Sequence, residues 1–146
     1  MTAQIPDVLH FDGNQYPLYC EPLEAFFKQN PPRPEIKECS TACWRGYVAT
    51  WEISESRLYL KRLYDFYEGR LKLKEKFFPN DEGDVFASWY TGPLICLNGP
   101  RVEYVHMGYA STFEKYLIVE IEHGLVVKTT DMNLDEYRLW QEKRYG

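Results

Sequence analysis

Turn signals break this chain at short intervals, and that spacing limits the fold more than any other feature. They are Asp12-Gly13-Asn14, Ser54-Glu55-Ser56, Tyr67-Glu68-Gly69, the loop PNDEGD, Gly92-Pro93, Asn98-Gly99 and His123-Gly124. Glycine, asparagine and aspartate suit such places because they accept positive φ, and proline because its φ is already set. The runs between them are short, aromatic and β-branched, which suits strands better than helices. The expected segments are two short strands within residues 7–20, then Thr41–Ile53, Arg57–Asp65, Arg70–Phe77, Val85–Tyr90, Leu94–Leu97, Arg101–Met107, Phe113–Glu122 and Leu125–Thr130. Asn98-Gly99 predicts a two-residue hairpin. The fold class that follows is mainly β (α+β): an antiparallel meander forming a sandwich or partly closed barrel.

Two helices flank this pattern. Pro22 opens PLEAFFKQN, where proline fits the first helical turn and Leu23, Phe26 and Phe27 share a side. Pro31-Pro32 stops it, and PPRPEIKE continues as an extended connector. Near the C-terminus, Asn133 with Glu136 three residues on predicts a capping box for a helix over 133–144 that packs on the sheet as a plug or lid. With 146 residues and no linker or repeat, the chain is expected to be one domain, 1–146.

The eleven residues CWRGYVATWEI, 43 to 53, divide by strand alternation into two faces. Arg45, Tyr47, Ala49, Trp51 and Ile53 share the apolar one. Gly46 marks a bend or a close approach by another segment. Arg45 is the misfit, because a guanidinium turned toward a core needs a partner. It either pairs inside the protein or, with Trp44, sits at the rim of a cavity and clasps an anion.

The runs WRGYVATWEI, LYL, FPN…VFASWYTGPL and NGP…YVHMGY together resemble a widespread group of uncharacterised bacterial proteins, over about residues 40 to 126. The resemblance implies a small bacterial or phage-borne domain and carries no reaction with it.

Other clusters are weaker pointers. In FASWYTG, residues 86–92, apolar side chains fall on both faces, as in a strand covered on both sides. In EYVHMGY, Tyr104 and His106 share a face, and His106 is either a satisfied structural histidine or a proton carrier or anion donor. RLKLKEK sets Arg70, Lys72, Lys74 and Lys76 on one side, read as a solvated face opposed by Glu114, Glu120 and Glu122. Cys39 and Cys43 lack a second Cys/His pair, so packing rather than zinc is expected, with no cofactor.

Charge narrows the partners. The chain carries 17 basic and 22 acidic side chains, net -5, which argues against a nucleic-acid binder and would steer a basic protein toward it. No apolar run approaches the roughly 18 residues that cross a bilayer, and no signal peptide is evident, so a cytoplasmic protein is expected. Without a nucleophile frame, a phosphate loop or a paired-carboxylate motif, catalysis has little sequence support. The expected function is that of a small acidic non-enzymatic interaction protein, of the kind that neutralises a basic bacterial toxin as immunity proteins do. The alternative is a small-molecule or anion-binding barrel or sandwich with weak catalysis, its cavity lined by Trp44, Arg45, Trp89, Tyr104 and His106.

Overall fold

The structure is a computed structural model that describes residues 4–36, 42–65, 73–81, 83–105, 109 and 111–145. Its elements run β1 (Asp7–Phe11), β2 (Asn14–Leu18), α1 (Pro22–Gln29), β3 (Tyr47–Ser54), β4 (Arg57–Asp65), α2 (Leu73–Phe77), β5 (Val85–Phe86), β6 (Gly92–Glu103), β7 (Thr112–Glu122), β8 (Leu125–Asn133) and α3 (Leu134–Tyr145). The strands form one 8-stranded sheet in the order β3-β1-β2-β6-β7-β8-β4-β5, and β3 pairs with β4 as well. The pairing therefore runs round in a ring, the partly closed, mainly β architecture expected from the turn spacing. One pair, β1 with β3, is parallel, so the sheet is mixed.

Strand alternation turns one side chain in two toward the inside of the ring. Leu9, Leu18, Trp51, Leu60, Leu94 and Val119 meet there, all wholly buried, and α1 adds Leu23 and Phe27. A second cluster lies on the opposite face of β6 and β7. Ile95, Leu97, Tyr116 and Ile118 face outward, and α3 covers them with Tyr137, whose ring stacks on Tyr116 at 3.8 Å. Helix α3 is thus an outer cover of the sheet rather than a plug. Its capping box forms: Glu136 N–H donates to Asn133 Oδ1 (2.9 Å) and Asn133 N–H to Glu136 Oε1 (3.0 Å).

Several finer expectations change. Asn98-Gly99 is not a hairpin; β6 runs through it, and the register against β7 shifts between Asn98 and Arg101. Gly99, at φ +108, sits within that irregularity, and β6 goes on pairing with β7 as far as Glu103. The RLKLKEK run is helical over Leu73–Phe77, where Lys74 donates to the carbonyls of Lys61 (2.9 Å) and Gly83 (2.6 Å). Arg70 and Lys72 lie outside the described residues. Val85–Phe86 is the whole of β5, since Ala87–Tyr90 turns away. Strand β3 begins at Tyr47, because residues 42–46 form turns and Gly46 takes φ +82. Among the described residues, no helix is long and apolar enough to cross a membrane.

Gly124 shows how tightly the β7–β8 turn is wedged against the rest. Its N–H donates to Tyr90 O (2.9 Å), its carbonyl accepts from Leu58 N–H (2.8 Å), and its φ is +82. A Cβ there would lie 2.7 Å from Phe86 Cε1 and 2.8 Å from Ala87 O. Backbone strain and overpacking then act together, so Gly124→Ala should destabilise the protein by about 2–4 kcal/mol. Urea unfolding measures this, and a loss below about 1 kcal/mol would mean that the turn has room to spare.

Candidate functional site

The turn at residues 42–46 and the strand after it converge on Asp7. Its Oδ1 accepts from Arg45 Nη2 (2.6 Å) and from Ala49 N–H (3.0 Å), and its Oδ2 accepts from Trp51 Nε1 (3.1 Å). Side-chain exposure is 3% for Arg45 and 0% for Asp7, so the pair is fully desolvated. Such a pair is tolerated only when its remaining valences are filled. Here Arg45 Nη1 donates to Ile5 O (2.8 Å) and approaches Tyr109 OH (3.4 Å), and the guanidinium lies 5.3 Å from the centre of the Tyr47 ring. Among the described residues, Arg45 Nε has no hydrogen-bond partner.

Around this pair the start of α1 contributes two more acids. Tyr109 OH donates to Glu21 Oε1 (2.9 Å), and Tyr47 OH donates to Glu24 Oε2 (2.5 Å). Arg33 grips Glu24 with both arms of its fork (2.8 and 3.1 Å) and donates to Arg45 O (3.2 Å). Burial raises the Glu21 carboxyl above its ordinary range despite nearby Arg45. Burial also acts on Glu24, but Arg33 and the Tyr47 hydroxyl outweigh it and hold that carboxyl below its ordinary value. Burial pushes the Tyr47 and Tyr109 hydroxyls up, so they remain donors. It pushes the Cys20 thiol up to about 12, which keeps it a packed thiol rather than a thiolate. The arrangement fixes charges in place; it does not present a reactive group to solvent.

Four of the five residues expected to line a cavity are described. Arg45 is internal. Trp89 is half-buried: it stacks on Phe78 at 5.6 Å, meets Trp51 edge-on, and its Nε1 donates to Pro22 O (3.0 Å), so it anchors α1. Trp44 and Tyr104 are exposed, each at 43%. Trp44 N–H donates to Gln4 Oε1 (2.7 Å), and the Arg101 guanidinium lies 4.5 Å from the centre of the Tyr104 ring. His106 lies outside the described residues, as does Cys39. Tyr109, in the segment after Tyr104, reaches Arg45 (3.4 Å). Among the described residues, no cluster of His, Cys, Asp and Glu could hold a metal ion.

Asp7, Glu21 and Tyr109 escaped the sequence. The signal for Asp7 was faint, an acid at the head of the apolar run DVLHF that had to find a cation somewhere. No family model matches the chain, and neither does any curated protein or solved structure.

Two consequences are measurable. Arg45→Met leaves the Asp7 carboxylate buried and unpaired, and should cost on the order of 3–5 kcal/mol. Arg45→Lys should also destabilise, by less, since an ammonium cannot reach Asp7 and Ile5 O together; a wild-type melting temperature would refute the structural role. Because the folded-state pKa of Glu24 is depressed, its stabilisation is complete above the ordinary glutamate value of 4.5 and is lost as the pH falls through the folded value. Glu24→Gln should therefore flatten the acid limb of a stability-against-pH curve. An unchanged acid limb would remove Glu24 from the linkage.

Proposed function

We propose that this chain is a small acidic, non-enzymatic interaction protein that docks a basic protein partner. Its specific form would be neutralisation of a bacterial toxin, as immunity proteins do. The observation that carries it is a contrast: the Arg45 fork is occupied by Asp7 and Ile5 O, while Trp44, its chain neighbour, and Tyr104, just after β6, are exposed large aromatics. Exposed Trp and Tyr on a rigid frame are the residues that most often dominate protein–protein binding energy. Glu103 is exposed next to Tyr104, and the net charge of -5 favours approach of a cationic partner. The alternative, an anion held at Arg45, loses its motive once the guanidinium is occupied from within.

The test is co-expression with whatever basic protein is encoded beside this chain, followed by calorimetry. The expected result is a stable complex whose association slows with salt and whose affinity falls at least about tenfold, or 1.4 kcal/mol, in Trp44→Ala and Tyr104→Ala. Both variants should melt like the parent, because neither side chain is buried. No complex, or a complex indifferent to both substitutions, would overturn the proposal.

A further inference from the structure

One irregularity on the outer face of the β1–β4 region gathers side chains that alternation would keep apart. Thr50 of β3 lies opposite Arg62 of β4, but Trp51 lies opposite Leu60, so Lys61 is the extra residue of a β-bulge. Leu60 and Leu63 are both wholly buried. Lys61 and Arg62, between them, therefore fall on the same outer side, two adjacent cations on one strand. Bulges re-aim side chains in this way, and they recur next to sites. Lys74 fixes the bulge by donating to the Lys61 carbonyl (2.9 Å).

The register supplies the neighbours. Val8 pairs with Thr50 and His10 with Glu52 across β1 and β3, and His10 pairs with Gln15 across β1 and β2. The result is a hollow of about 280 Å³ lined by His10, Gln15, Thr50, Glu52, Lys61 and Arg62. Lys61 Nζ sits 3.2 Å from Glu52 and 3.9 Å from Asp84, so the one carboxylate in the hollow is already neutralised. Arg62 is exposed and has no hydrogen-bond or ion-pair partner among the described residues. Its fork, the Thr50 hydroxyl, the His10 ring and the Gln15 amide come from four strands and surround one space.

We infer that this hollow is an anion site that takes the phosphate group of a small phosphate monoester. A planar guanidinium matches two oxygens of a phosphate at once, and the hydroxyl and amide satisfy the rest. An adjoining hollow of about 340 Å³ shares His10, Gln15 and Glu52 and adds Asp12 and Asn14. A carboxylate and an amide there suit the hydroxyl or amino groups of the ester's organic part. This hollow contains neither Trp44 nor Tyr104, and it stands whether or not a protein docks on them.

Titration of the ¹⁵N-labelled protein with inorganic phosphate and with glycerol 3-phosphate, at constant ionic strength set by chloride, tests it. Saturable amide shifts should concentrate at Thr50, Lys61 and Arg62, with the monoester bound more tightly. Arg62→Gln should weaken binding by about tenfold or more, as loss of a charge-assisted pair does. Arg138→Gln, an exposed cation on α3, should leave it unchanged. Shifts that never saturate, or equal weakening by both substitutions, would overturn the site. Equal affinity for the two probes would overturn the part assigned to the adjoining hollow.

Discussion

The carboxylate of Asp7 is the constraint on which the rest of the fold turns. It accepts three donors from residues 45, 49 and 51, and these span the entry turn and the first half of β3. Strand β1 is thereby held parallel to β3, with Leu9 opposite Trp51. A parallel pair is the harder one to form, since its strands are far apart in the chain and no hairpin sets their register. A buried charge with three fixed donors supplies that register chemically. It also explains why Arg45 precedes the strand rather than lying within it: only from the turn made possible by Gly46 does the guanidinium reach both Asp7 and Ile5 O.

The same arrangement divides the protein into surfaces with different availability. Charges near the start of α1 are spent on one another, with Glu24 held by Arg33 and Tyr47, and Glu21 by Tyr109. Much of the tyrosine content is consumed likewise. Tyr90 OH donates to Pro93 O (2.6 Å), and Tyr137 OH accepts from Gln141 Nε2 (2.9 Å), so each ring is buried with its polar tip satisfied. Exposed outside these networks are the aromatics Trp44 and Tyr104 and the cation Arg62, which the bulge in β4 turns outward beside Lys61.

Much of the fold was legible in the sequence because its cues are local. Pro22 at a helix start, the Asn133–Glu136 box and the His123-Gly124 turn each act within a few residues, and each appears where its chemistry predicts. Misreadings came where a nonlocal contact overrode a local cue. Asn98-Gly99 has hairpin chemistry, but β7 runs alongside it through to Glu103 and turns it into a bulge. Lys74 lies in a strand-like alternation, yet its bonds to the carbonyls of Lys61 and Gly83 belong to a helix. The site was less legible still. That Arg45 needed a partner followed from its register; that the partner was Asp7, 38 residues away, did not. Nor does alternation announce a bulge, so Lys61 and Arg62 read as opposite faces of a strand.

The ring is not uniformly sewn. Strand β2 meets β6 through the single register pair Leu18–Cys96, and β4 meets β8 through Arg57–Leu125, while β6–β7 and β7–β8 are joined along most of their lengths. The ring is therefore two ladders, β2-β1-β3-β4-β5 and β6-β7-β8, joined at two narrow seams. Opening at a seam breaks few backbone hydrogen bonds and leaves each ladder whole. Amide protons beside the seams, such as those of Tyr19 and Val126, then exchange with solvent ahead of those within the ladders, and the inner face of the barrel is first bared there.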